Sequence, residues 1–174
     1  MKIFGLVLLV LVFAGVIVYA VGARLPVNHT VSVTGVVPAP QDLVFARIAD
    51  VANGAAWRPE VKSVTVLASV PGHGGMQDHW VESLGHGQTM TFLAIRTDSA
   101  TRREVRLDDP NASYGGTWTY ELSPGPEPAT TTLRITETGF IKPPVYRFVM
   151  AHIMGPTHNL DRYMKDIQAA ATKP

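Results

Sequence analysis

Residues 40–61 read PQDLVFARIADVANGAAWRPEV, and the division of the chain follows from this stretch. Leu43, Val44, Ile48 and Val51 recur at helical spacing. Pro40 suits the first turn of that helix, and Asp42 complements its positive end. Asn53-Gly54 breaks the pattern. Asp50 has the side chain to cap backbone donors at a helix start. Trp57 offers a large apolar body to cover a sheet edge, with one N–H to satisfy. Pro59 then turns the chain from helix into strand.

Towards the amino terminus, Thr30–Val37 (TVSVTGVV) alternates, with Val31, Val33 and Val37 on one face. Residues 24–29, with Pro26 and Asn28, read as a linker. Before it, Ile3 to Ala23 carries no charge. At about 1.5 Å per residue this run makes a helix of roughly 31 Å, enough to cross a bilayer core. A cleaved signal peptide would share Lys2 and the small residues Val21 and Ala23, but its apolar core is shorter. A buried core helix would show a polar face. An uncleaved single-pass anchor over residues 1–23 is the reading adopted. Lys2 and the amino terminus favour a cytoplasmic start and an extracytoplasmic body, although Arg24 pulls the other way.

Towards the carboxyl terminus the period is two. Val61–Val70, Met76–Ser83, Gln88–Arg96, Thr101–Leu107, Tyr114–Leu122 and Thr130–Phe140 read as strands between Gly- and Pro-rich turns. The period then returns to helical. Val145, Val149, Ile153, Leu160, Tyr163, Met164 and Ile167 form one stripe, with a kink or short break expected at Gly155-Pro156. About seven antiparallel strands curved around one long C-terminal helix make an α+β, helix-grip domain over residues 30–174, preceded by one transmembrane helix. A concave sheet wider than the helix it wraps leaves room for a cavity.

Pro40–Phe45, Asp50 and Trp57-Arg58-Pro59-Glu60-Val61 together resemble the opening of START-like (SRPBCC) domains, the polyketide cyclase/dehydratase and lipid-transport group. Thr117–Leu122, with Pro124-Gly125 and Thr131–Thr136, is similar to their sixth and seventh strands. The resemblance covers roughly residues 30–171. Ala129-Thr130 stands where these domains often carry Gly-Thr. Trp57, Pro59 and Asp50 build the fold rather than a site.

Composition removes several functions. Of 15 Lys+Arg and 14 Asp+Glu, only Lys2 lies in the first 23 residues, so the body is neutral. A nucleic-acid binder would need a net basic face. With no cysteine there is no disulfide, thiolate chemistry or Cys-ligated metal. His73, His79 and His86 match no compact metal motif, and no metal or cofactor is expected. Asn28-His29-Thr30 and Asn111-Ala112-Ser113 fit the N-glycosylation pattern, which arises often by chance.

The candidate site is an apolar, aromatic cavity. Alternation puts Tyr114, Trp118, Tyr120 and Leu122 on one face, with Met90, Phe92 and Ala94, and then Val105 and Leu107, on neighbouring strands. Phe148, Val149, His152 and Ile153 close it from the helix. The chosen lining is Met90, Phe92, Tyr114, Trp118, Tyr120, Phe148 and His152, with no residue assigned a catalytic role. The alternative is a filled core. His152 is a pocket acid or base, a ligand anchor or, the plainer reading, a histidine bonded in the core or exposed at the kink. Glu137 shares a face with Leu133 and Ile135; it is either a pocket carboxylate or turned outward by a bulge at Gly139, and the bulge or the sheet rim is preferred. The function expected is a membrane-tethered module binding a small hydrophobic molecule or lipid. The alternatives are a cyclase/dehydratase-like enzyme and a non-catalytic partner-binding module.

Overall fold

Asn28–Val37 forms the first strand, β1, and its inward residues alternate along its whole length. The computed structural model describes residues 2–72, 75–85 and 87–172. His73, Gly74 and His86 lie outside the described residues. Ahead of β1 stands helix α1 (Lys2–Arg24). After it come α2 (Gln41–Ala49), a 3-10 segment (Val51–Ala56), β2 (Ser63–Val66), β3 (Val70–Gly72) and β4 (Gly75–Gln77). Strands β5 (His79–Gly85), β6 (Gln88–Asp98), β7 (Arg102–Leu107), β8 (Tyr114–Pro124) and β9 (Thr131–Ile141) follow. The chain ends in α3 (Pro144–Val149), a turn of π-helix (Met150–Met154) and α4 (His158–Ala171).

Seven strands make one antiparallel sheet in the order β1-β9-β8-β7-β6-β5-β2, and β3 and β4 form a separate ribbon. This is the helix-grip arrangement read from the sequence. Two of its strands are shorter than the alternation indicated. Val61–Val70 narrows to β2, and Met76–Ser83 divides at Asp78 into β4 and β5. β1 begins at Asn28, earlier than Thr30. Pairing irregularities between Ser83 and Gly85 and between Ala94 and Arg96 help to bend the sheet. Ala129 holds φ +57 before β9. That is a left-handed conformation glycine would adopt without strain, so the Ala for Gly departure falls where it costs about 1–2 kcal/mol.

The long helix splits at its Gly-Pro step, as a mid-helix proline requires. Gly155 adopts φ +93 and redirects the chain into α4. α4 buries Leu160, Met164, Ile167 and Ala170. Each large apolar side chain so buried contributes about 1.5–3 kcal/mol. It packs mainly on β1 and β9, at one side of the sheet, and Tyr163 reaches Tyr120 of β8 at 5.2 Å. The rest of the concave face, towards β5, is left open by that helix, and the cavity lies there.

The first half of the stripe behaves differently. Val145 and Ile153 are exposed rather than turned to the sheet. α3 packs on α1 instead, where Val18, Val21 and Gly22 are the covered residues at helical spacing. Gly22 permits this approach, because a Cβ there would collide with the Pro144 carbonyl. Arg147 is buried at the junction and donates from Nε to the Gly22 carbonyl at 2.9 Å and from Nη1 to the Ile141 carbonyl at 3.0 Å.

Candidate functional site

A cavity of about 690 Å³ opens between the concave sheet, the α2 and 3-10 segment, and the helices at the C-terminus. Met90, Phe92, Tyr114, Trp118 and Tyr120 line it, as do Val105 and Val149. Their strand alternation survives folding because β6 and β8 are each paired on both sides. Trp80 stacks on Phe92 with centroids 5.6 Å apart, and Phe92 meets Trp118 edge-on at 5.9 Å. These three rings pave the floor. Phe148 and His152 are not in the lining. Phe148 precedes the π turn and packs on α1, where a Cβ on Gly22 would meet its Cβ at 3.3 Å. The π turn then inserts a residue into the helical repeat, and the stripe changes phase before His152. Met150, Ala151 and Met154 take the inward positions, while His152 is exposed and packs against Phe148 at 4.9 Å.

Glu137 stays on the inner face of the sheet, with Leu133 and Ile135. β9 pairs with β8 and β1 without a shift in register, so no bulge turns the side chain outward. Its carboxylate enters the cavity. His29 Nε2 donates to Oε1 at 3.0 Å, and Trp118 Nε1 donates to Oε2 at 3.1 Å. Trp118 lies directly opposite Glu137 in the β8–β9 ladder. His29, read above as linker, is the second residue of β1 and shares a face with Val31 and Val33. With Nε2 holding a proton towards Glu137, Nδ1 remains to accept or carry another.

A second carboxylate lines the same cavity. Glu82 follows Trp80 on the inner face of β5 and is 3% exposed. Arg58 donates to it through both terminal nitrogens, at 2.8 and 2.6 Å, and Trp80 Nε1 adds a third bond at 3.1 Å. Burial opposes the Arg58 charge, but the hydrogen bond and charge of Glu82 outweigh it and raise the guanidinium above its ordinary value. Arg58 also lies over the Tyr163 ring at 5.6 Å. Trp57 meets Tyr163 edge-on at 5.2 Å, yet its buried N–H finds no partner among the described residues. Asp50 does not cap backbone donors. Its carboxylate accepts from Asn53 at 2.8 Å and lines the cavity.

Burial pushes the Tyr120 hydroxyl up to about 12, and Tyr163 well above its ordinary value. Both are neutral hydroxyls at physiological pH, suited to hydrogen bonding and not to acting as phenolate bases. The site therefore combines aromatic walls with two fixed carboxylates and neutral phenols. Among the described residues, His29–Glu137 brings an imidazole against a carboxylate in the cavity. His29, Arg58 and Glu82 were not picked out by the sequence reading, although alternation extended by one step from Val31 reaches His29, and alternation from Trp80 reaches Glu82.

The family of polyketide cyclase/dehydrase and lipid transport proteins matches residues 28–165. The chain belongs to that family. Among solved structures, a START superfamily protein from Mycobacterium smegmatis matches with 18% identity and a TM-score of 0.61, over 82% of this chain and 97% of that one. The Zhui aromatase/cyclase from Streptomyces sp. R1128 matches with 18% identity and a TM-score of 0.62, over 83% and 93%. A norcoclaurine synthase from Thalictrum flavum matches with 12% identity and a TM-score of 0.61, over 85% and 97%. At such identities the likeness is one of fold. No curated protein matches the chain by sequence. Membership in the polyketide cyclase/dehydrase and lipid transport family accounts for a domain built around a ligand cavity. It does not choose between carriage and catalysis.

Proposed function

We propose that this chain is a membrane-tethered START-like module that holds a small, mainly apolar molecule bearing a polar group. The cavity carries the reading. Its volume of about 690 Å³ lies in the range of about 300–1,000 Å³ typical of small-molecule sites. Its floor is aromatic, and its polar groups are held in pairs or stand at the rim. Met90, Phe92, Trp118 and Tyr120 supply the apolar contact, Tyr114 stands half-exposed at the rim, and Glu137 accepts a hydrogen bond from the ligand. The helix α1 is long and apolar enough to cross a bilayer, and it tethers the body beside a source of such molecules. Lys2 before the apolar run favours a cytoplasmic amino terminus and an extracytoplasmic body.

The test is native mass spectrometry of the full chain released from detergent, beside its denatured mass. A bound mass that disappears on denaturation is expected. A bare protein, also unresponsive to fatty acids and polycyclic aromatics, overturns the reading.

The His29–Glu137 pair supports a second reading, a cyclase/dehydratase-like enzyme in which His29 moves a proton and Glu137 orients its ring. Turnover of the bound molecule, lost in Glu137→Gln while binding persists, distinguishes it from carriage.

A further inference from the structure

We infer that the cavity is loaded sideways from the bilayer, through an apolar arc of its rim that α3 and the π turn seat in the membrane interface. This rests on the tether reading above. If α1 spans, the depth of α3 is already set. Val18, Val21 and Gly22 are the covered residues of α1, and α3 is the element packed on that helix. Val18 lies roughly 8 Å along the helix axis from Ala23, at about 1.5 Å per residue. A helix packed against that stretch stands level with the last two turns of the spanning segment and must meet lipid on its outer side.

The composition of the segment fits that position. From Pro143 to Thr157 the only ionisable side chains are Arg147, His152 and Tyr146. Arg147 is buried, its donors taken by the backbone carbonyls of Gly22, Ile141 and Lys142. Those bonds satisfy polar groups that lipid would leave unpaired. Val145, Tyr146, Ile153 and Met154 are exposed, Ile153 by 70%. An amphipathic segment of this kind buries its apolar face at the boundary of headgroups and acyl chains.

The cavity meets this surface. Pro26, Tyr146, Ala151 and Met154 are both exposed and part of the lining, so they mark an opening next to the end of α1. A second set of exposed lining residues, Arg47, Asp50, Asn159 and Arg162, is polar. The rim thus has one side matched to lipid and one matched to water. Strand topology places the apolar side of the rim apart from Leu43. α1 joins the sheet where β1 starts and β9 ends, whereas Leu43 follows the far end of β1.

The chain has no native cysteine, so single probes report position directly. Full-length Phe13→Cys, Tyr146→Cys, Ile153→Cys and Leu43→Cys, each labelled with a fluorophore, are placed in phosphatidylcholine nanodiscs carrying nitroxide-labelled lipid. Loss of emission is expected at 13, 146 and 153, and none at 43. Quenching at 13 with 146 and 153 as bright as 43 overturns the seating while leaving the tether intact. No quenching at 13 overturns the tether, and the inference with it. Blue-shifted but unquenched emission at 153 means that protein covers this face, and also overturns the inference. Loading is tested with pyrene dissolved in the disc lipid. Ile153→Asp, a residue outside the lining, is expected to slow its uptake relative to wild type and Leu43→Asp. Equal rates overturn the lateral route.

Discussion

Glu82 and Glu137 are held by the same pair of devices and end up with different freedom. Each accepts a bond from a tryptophan N–H at 3.1 Å, and each meets a nitrogen base. For Glu82 the base is Arg58, bidentate, permanently charged and pinned under Tyr163. For Glu137 it is His29, held through one bond at 3.0 Å. Glu82 is 3% exposed, whereas Glu137 keeps 14% of its side chain open and His29 25%. A bidentate guanidinium leaves little capacity on the carboxylate for a ligand. The His29 bond is single, uncharged in its neutral form and exchangeable. The cavity therefore has a closed polar end that holds the fold and an open one with hydrogen-bonding capacity to spare.

The largest effect should come from the closed end. Arg58→Ala strands a buried charge, and loss of one partner of such a pair costs about 3–5 kcal/mol. A chemical denaturation midpoint measures it. Replacing both partners, as Arg58→Met with Glu82→Leu, should restore most of the loss, since the penalty belongs to the unpaired charge. If the single and double variants are equally unstable, packing of the Arg58 stem is what matters.

At the open end the effect moves from folding to binding. Glu137→Gln should leave affinity for pyrene unchanged. It should weaken 1-hydroxypyrene by about tenfold or more, because a hydrogen bond to a charged group contributes about 1.5–3 kcal/mol. Fluorescence titration gives both numbers. Equal losses for the two ligands would mean that Glu137 shapes the cavity and does not contact the ligand. His29→Ala should cost only about 1 kcal/mol of stability, the scale of an accessible pair. A loss as large as that of Arg58→Ala would erase the contrast between the two ends.

Most of the frame was readable before folding, for physical reasons that differ along the chain. Alternation in β6 and β8 brings Met90, Phe92, Tyr114, Trp118 and Tyr120 to one face, because side chains on a paired strand have no other choice. The carboxylates were harder. A glutamate on an apolar face is so costly unpaired that a bulge looked the cheaper solution for Glu137. The partner that removes the cost, His29, is 108 residues away in sequence. Arg58 is 24 residues from Glu82, and nothing local marks either pair. Phe148 is taken by its packing on α1 at Gly22, a contact 126 residues apart in sequence that nothing local marks. His152 fails for another reason. A helical stripe keeps its phase only while the helix is regular, and the π turn ends that regularity before Gly155-Pro156 is reached. The strand register needs the ladder alone, whereas the helix phase needs every residue between.

A third carboxylate pair tests whether the closed end carries residual strain. Glu60 touches Arg58 at 3.5 Å and faces Asp166, and a carboxylate oxygen of each is buried with no donor among the described residues. Burial, and then the charge of Glu60, raise Asp166 above its ordinary carboxylate value. The folded state therefore holds a proton on Asp166 at pH values where the unfolded chain has released it. Between the ordinary and the raised value, stability falls as pH increases, and the penalty is complete above the raised value. Asp166→Asn removes the charge and should raise the thermal midpoint at neutral pH, by less than any change above. At about pH 3, below the ordinary carboxylate range, the gain should vanish because both proteins are then neutral at this position. A gain that persists in acid would come from packing of the amide. No gain at neutrality would mean that Arg58 and Arg162 already neutralise the pair. In that case the closed end is electrostatically satisfied throughout, and the contrast with Glu137 is sharper than the geometry alone implies.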